Sequence, residues 1–472
     1  MKVLKYIFFI AVITLLNISC EDDLNLAPED QNTSAGFYNN AADLEAAVNA
    51  IYGALQRDGL YGYNYHILLE TRSDNTFEEE PSNSGGFGDM DLFNRVTTNP
   101  VITTTWRDSY IAIQTANIVL NRIDGIADMD EAAKTIRKGE AKFIRALVYY
   151  NLVNLYGDVP LVIEETTNPT DFFGQGRTPK AEVFAQIVTD LSEAQNELPE
   201  LNDTGRATKG AANSLLGKVY LTNGNPQEAE TALRAVTGYT LLNNYAENFG
   251  VNNENGPESI FEIQFKSDIN GNSEGSKFAT RFTSQANPGS RGNNIITEDL
   301  PNSFETGDLR RNEIIPDVTT PTVYISTKYI DNDQPVVDDG DNNVIVLRYA
   351  DVILMLAEAL NAQGYVADGE AFDLLNQIRT RAGLANLTSG TVTNQAEFTA
   401  ALLEERRHEL FHEPHRWLDM KRLGDPISIM NSHFDSMPST ANITIDENDL
   451  LLPIPQSQID SDPDSMTQNP GY

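Results

Sequence analysis

The feature that most constrains the fold of this chain is a pattern of small residues on paired helical stripes, written twice. Leu216-Gly217-x-x-Tyr220, a turn at Gly224 and then Ala229-x-x-x-Leu233 form the first copy. Leu356-Ala357-x-x-Leu360, Gly364 and Ala371-x-x-x-Leu375 form the second, with a two-residue insertion in the turn. This is tetratricopeptide spacing, in which two antiparallel helices meet most closely at the small residues. One such pair cannot cover its own apolar face, so several must stack. Helical periodicity elsewhere agrees. Leu44, Ala47, Val48, Ile51 and Leu55 make one stripe, and Trp106, Tyr110, Ile113, Asn117 and Leu120 another. Glu131 to Tyr156 reads as a long helix stopped by Gly157-Asp158-Val159-Pro160, and Ala181 to Leu198 as a further one. The expectation is a mainly α fold, with a helical scaffold over about 35–56, 101–240 and 344–430.

Two stretches break this pattern. Residues 57–100 are rich in Gly, Asn, Ser and Asp, and they carry Tyr61, Tyr63, Tyr65, Phe77, Phe87 and Phe93. Residues 243–343 are again loop-rich, with a short β-like run from Ser259 to Phe265. Long irregular segments inside a compact protein usually carry function, so these are the expected binding regions. The acidic loop Asp331, Asp333, Asp338, Asp339 and Asp341 offers the hard oxygen ligands calcium uses. It does not match EF-hand spacing, so no cofactor is called and a solvated acidic loop is the reading.

The charge balance is strongly acidic: 33 Lys and Arg against 69 Asp and Glu, a net −36. That excludes a nucleic-acid partner, which needs a basic footprint. It also favours neutral over polyanionic ligands. At the N-terminus, Lys2 and Lys5 precede the uncharged run Tyr6 to Leu16, which reads as a signal peptide over residues 1–19. Cys20 is the single cysteine, so the chain can form no internal disulfide. Its place behind Ile18-Ser19 looks like a bacterial lipobox, with Asn17 where Leu is usual, and makes Cys20 the expected lipidation site. Residues 20–34 follow as an extended polar tether.

The stretch Leu403 to Arg422 has two incompatible readings. By motif, His408-Glu409-Leu410-Phe411-His412 is an H-E-x-x-H, the zinc-peptidase pattern with Glu409 as general base. By charge, it is an Arg/Glu-laced helix closed by Pro414, followed by a second helical turn around Trp417. Pro414 ends the helix soon after the second His. The longer zinc motif would need a glycine at His415 and a third histidine at Leu418. With five histidines in all, the catalytic inventory is thin, and the expectation is a binder, not an enzyme.

From end to end the chain resembles the SusD/RagB family, the outer-membrane nutrient-uptake lipoproteins of Bacteroidetes. The motifs that carry the likeness begin with Cys20 and the acidic run Glu21-Asp22-Asp23 with Leu24, then Trp106-x-x-x-Tyr110 with Ala116-Asn117. Glu140-Ala141-Lys142-Phe143-Ile144-Arg145-Ala146 leads on to Asn154-Leu155-Tyr156-Gly157-Asp158-Val159-Pro160. Arg348-Tyr349-Ala350-Asp351-Val352 and Glu405-Arg406-Arg407-x-Glu409-Leu410-x-x-Glu413-x-x-Arg416-Trp417-x-Asp419 come later, and Gln468-Asn469-Pro470-Gly471-Tyr472 closes the chain. The resemblance implies one SusD-like domain over 35–472. It also implies a lipid anchor at the outer-membrane cell surface and a SusC-like TonB-dependent transporter as partner, with oligosaccharide as cargo and peptide as the alternative. Glu409, Glu413, Arg416 and Asp419 become ion-paired framework positions, and a secreted zinc peptidase falls to a remote third reading.

Sugar binding needs flat apolar faces ringed by carboxylates, amides and Arg. Trp106 and Trp417 are the only tryptophans, and both fall in family framework motifs. Tyr61, Tyr63, Tyr65 and Phe77 are therefore the expected apolar faces, with Arg72, Asp74 and Asn75 as hydroxyl partners; the alternating tyrosines equally fit a half-buried strand. Phe278, Arg281 and Phe282 are the reserve candidates.

Overall fold

A computed structural model describes residues 38, 40–168, 170–269, 272–330, 337–437 and 440–472. The signal peptide, Cys20 and the 20–34 tether lie outside the described residues, as do Asp331 and Asp333.

Helices α1 (Ala41–Leu55), α2 (Asn64–Glu70), α3 (Pro100–Arg122), α4 (Glu131–Tyr156), α5 (Lys180–Glu197), α6 (Lys209–Thr222) and α7 (Pro226–Arg234) run through the first half. Helices α8 (Tyr349–Gln363), α9 (Glu370–Arg381), α10 (Gln395–Leu410), α11 (Arg416–Leu423) and α12 (Pro426–Ser436) follow in the second. The expected helix bounds lie within a few residues of these. Side chains start several of them: Asn40, Asn99, Asp130, Thr208 and Asn394 each accept a backbone N–H of the first turn.

The fold is mainly α, as the periodicity requires. Successive helices pack on one another from α3 through α9, and α7 of the first small-residue pair stacks on α8 of the second. Gly217 shows why the small residue is needed: a Cβ there would lie 2.5 Å from the Leu233 side chain across the α6–α7 contact. Gly224 turns the chain between these helices at φ +76°, a left-handed conformation that side chains disfavour. One apolar cluster extends from Leu44 to Met466 along the stack, and a second, around Phe372, Leu375 and Phe398, fills the space between α8, α9 and α10.

The loop-rich regions do not float apart. Strand β1 (Thr76–Phe77) comes from the first; β2 (Ser259–Ile263), β3 (Lys266–Ile269), β4 (Asn272–Glu274), β5 (Ile295–Ile296), β6 (Ile314–Pro316) and β7 (Tyr324–Ser326) come from the second. An antiparallel sheet of order β1-β5-β7-β6 joins the two, with Thr76 opposite Ile296 and Phe77 opposite Ile295. Strand β8 (Val344–Arg348) pairs with β2 and leads straight into α8.

Candidate functional site

The 403–422 stretch is a clamp of buried charge. Arg348 donates to Glu413 at 2.6 Å, to Glu258 at 2.9 Å and to Glu409 at 2.5 Å. Arg381 also reaches Glu409, and Arg310 bonds Glu405 at 2.6 Å and Glu409 at 3.2 Å. Burial alone would raise the Glu409 carboxyl, but Arg381, Arg348 and Arg310 hold it well below the usual carboxylate range. A carboxylate so engaged is no general base. Helix α10 ends at Leu410, and His412 lies beyond it at φ +57°, so the two imidazoles do not share a helical face. His408 pairs with the Ser303 hydroxyl at 2.9 Å, and His412 donates from Nε2 to the Asn294 carbonyl at 2.9 Å. Among the described residues no trio of His, Cys, Asp or Glu is placed to hold a metal ion.

The same clamp fixes the segment expected to bind. Asp74 takes two hydrogen bonds from Arg416, at 2.7 and 2.8 Å, and Arg407 donates to the Asn75 side chain at 2.9 Å. Arg72 lies over the Phe93 and Trp417 rings, 4.3 and 5.0 Å from their centroids, and donates to the Asp449 carbonyl. Arg72, Asp74 and Asn75 are buried with these protein partners, so in this structure they anchor β1 and do not face solvent.

The tyrosines do not lie on a strand; two short helical turns meet at a kink among them, with Leu60 and Tyr63 outside helical geometry. Residues 58–62 form a π-helical turn that runs into α2. Tyr61 and Tyr65 turn to the same side, with ring centroids 5.1 Å apart in the core. They are 1% and 4% exposed, and Asn151 donates to the Tyr61 hydroxyl at 3.0 Å. Tyr63, two residues away, turns outward. Gly59 makes the tight entry feasible, since a Cβ there would lie 2.4 Å from the Thr104 carbonyl oxygen of α3.

Half-buried Tyr63 meets the reserve segment. Its ring is edge-on to Phe87 at 5.8 Å, and the Arg281 guanidinium sits 4.4 Å and the Lys277 ammonium 5.1 Å from its centroid. Burial, with Asp58 adding to it, raises the Tyr63 hydroxyl pKa above the ordinary value, so it stays a neutral donor. Lys277 pairs with Asp58 at 2.6 Å, and Arg281 reaches Asp338 at 3.5 Å and the Asn293 side-chain oxygen at 3.3 Å. Asn293 in turn donates to Glu78 at 2.7 Å, whose carboxyl burial pushes up to about 8. Next along the chain, half-buried Glu79 accepts from the Ser284 hydroxyl and the Gln285 N–H, both at 2.7 Å. Phe77, on β1, is also half-buried. Phe278 and Phe282 instead pack inside, around His66 and Tyr329.

The structure thus brings Tyr63 of the first loop-rich region to Arg281 and Lys277 of the second, whereas Phe77 is placed opposite Ile295 on β5. Lys277, Asp58 and Asp338 complete the cluster; sequence reasoning missed Lys277 and Asp58, and named Asp338 only as an oxygen of the acidic loop. The one available signal was charge punctuating the aromatic loops. The described aspartates of the acidic loop are tied down as well: Asp338 accepts from Thr280, Asp339 from the Gly275 N–H at 2.8 Å, and Asp341 from Lys266 at 2.6 Å.

Comparison with known proteins bears on what this surface is for. A family model described as "SusD family" matches residues 311–472, and one described as "Starch-binding associating with outer membrane" matches residues 26–221. SusD-like protein P25 of Formosa agariphila is 30% identical over the whole of both chains. The chain belongs to the SusD family. Among solved structures, a laminarin binding SusD-like protein is 28% identical, with a TM-score of 0.76 over 92% of this chain and 100% of that one. A SusD homolog from Bacteroides thetaiotaomicron matches with a TM-score of 0.82 over 94% of this chain and 100% of its own, and at 24% identity it speaks to the fold alone. SusD-like proteins bind and do not catalyse, and the buried, ion-paired H-E-x-x-H segment of this chain agrees.

Proposed function

We propose that this protein captures neutral oligosaccharides at the cell surface and hands them to a TonB-dependent outer-membrane transporter. In this reading Cys20 carries the lipid anchor, and residues 35–472 act as one unit whose helical stack presents the junction of the two loop-rich regions. The observation that carries the reading is Tyr63, a half-buried aromatic ring beneath Arg281 and Lys277, which in turn face Asp338 and Asp58. An apolar face ringed by charged and hydrogen-bonding groups is what a pyranose requires. Lys277 and Arg281 already face Asp58 and Asp338, and the chain carries net −36, so neutral glycans suit it better than polyanions. The family description, starch-binding and associated with the outer membrane, and the laminarin-binding relative point the same way.

Peptide capture at the same surface is the second reading. Both tryptophans are buried, Trp106 at 3% and Trp417 at 1% exposed, so this surface lacks the broadest sugar platform. Titration of the lipid-free protein against laminarihexaose, maltohexaose and a tryptic peptide pool separates the two. Saturable heat with a neutral glycan, weakened in Tyr63→Ala, supports the first reading. Heat with peptides alone replaces it by the second.

A further inference from the structure

We infer that a second carbohydrate subsite, sized for a single pyranose, lies on the other side of α3 from Tyr63. A cavity of about 210 Å³ there is floored by Trp106 and Tyr110 and flanked by Phe172 and Phe173. Gln458 and Asp462 stand on its rim. The cavity belongs to a different face from the surface described above. Thr104 and Asp108 meet the 57–62 turn, whereas Trp106 and Tyr110, at 100° per residue, project to the opposite side of the helix.

The flanking rings are held by a loop that is built. The loop's neck is a bridge between Val159 and Thr178, with hydrogen bonds of 3.2 and 3.0 Å. Gln114 of α3 grips Thr166 through both its amide atoms, at 3.0 and 2.9 Å. Asp171 gathers the N–H groups of Thr167 and Asn168, each at 2.8 Å, and the Gly174 N–H donates to Asp462 at 2.9 Å. So restrained, Phe173 is nonetheless 57% exposed. An exposed ring beside a cavity that other aromatic rings also line gives a ligand an apolar face to cover, and isolating such a ring from water is favourable. Rings fixed in advance also lose little conformational freedom on binding.

The occupant follows from the lining. Exposed Phe173, with half-buried Phe172 and Tyr110 beside it and the buried Trp106 beneath, takes the C–H face of a sugar, and the amide of Gln458, the hydroxyls of Ser461 and Thr166 and the carboxylate of Asp462 take its hydroxyls. No Lys, Arg or His lines the cavity, which disfavours an anionic ligand, and its volume admits one ring and not a folded chain. The class of ligand rests on the glycan reading above; the place does not.

The chain has two tryptophans, so its ¹⁵N spectrum carries two indole N–H signals, which Trp106→Phe assigns. The probes are laminarihexaose, maltohexaose and methyl β-D-glucopyranoside. The Trp106 signal should move saturably with at least one of them, in the wild type and in Tyr63→Ala alike. Phe173→Ala, at an exposed position, should weaken that response about tenfold or more, the scale of one lost aromatic contact. An unmoved Trp106 signal beside Tyr63-dependent heat in calorimetry would overturn the second subsite and leave the first standing. Silence at both sites with every probe would remove both readings together.

Discussion

Asp74 and Tyr63, eleven residues apart, serve opposite ends of the molecule's economy. Asp74 is a buried carboxylate held by Arg416 and Arg407, and removing one partner of such a pair leaves uncompensated charge in the interior. Asp74→Ala is expected to destabilise the protein by about 3–5 kcal/mol, measured by denaturant unfolding. Tyr63→Ala truncates a half-buried ring and should cost less stability than Asp74→Ala. The five histidines set a pH dependence. All are buried, and burial lowers each pKa, to about 3 for His412 and His415. Below pH 6.5 the unfolded chain takes up protons that the native histidines refuse, so stability falls as pH drops; at pH 5 His412 alone accounts for about 2 kcal/mol. Burial pushes Glu70 and Glu78 up to about 8, which has the opposite sense: the native state keeps protons the unfolded chain has lost, so stability falls as pH rises from 4.5 towards 8. Compared across pH 5–9 by melting temperature, Glu70→Gln should therefore lose less stability than the wild type as pH rises towards 8. The framework role of Glu409, Glu413, Arg416 and Asp419 was legible through the resemblance to the family motif. Their partners were not, because Arg348, Arg310 and Asp74 are distant in sequence and no local pattern names them.

At the scale of elements, the small-residue helix pairs were the most readable part of the chain. Gly217 against Leu233 is the contact that the pattern predicts, and it is testable. Gly217→Val should cost about 1–3 kcal/mol by overpacking, and Leu233→Ala in the same chain should recover part of the loss. The segment 57–77 was misleading for a definite reason. Tyrosines at 61, 63 and 65 suit a period of two, yet the chain coils there, so two rings go inward and one outward. Short helices inside glycine-rich loops lack the length that makes periodicity decisive. Helix α10 gives a further expectation. Because Glu409 is committed to three arginines and His412 lies past the helix end, zinc or a chelator should leave the melting temperature unchanged; a zinc-dependent rise of several degrees would reopen the metal reading.

Across the whole molecule, a stack of helices carries two irregular regions, and β1 pairing with β5 brings them together at one surface. The helical scaffold could be read from residues because its contacts are close in sequence. The junction could not, since Tyr63 and Arg281 meet only through the tertiary fold. Strong net acidity and the paired cations at the junction set the expected cargo as neutral glycan. The account's central claim, capture at the Tyr63–Arg281 junction, is tested most directly by calorimetric titration of residues 21–472 with neutral hexasaccharides, wild type beside Tyr63→Ala. The prediction is saturable binding that Tyr63→Ala weakens about tenfold while the variant still unfolds cooperatively. Binding of equal affinity in both proteins, or heat with peptides alone, would contradict it.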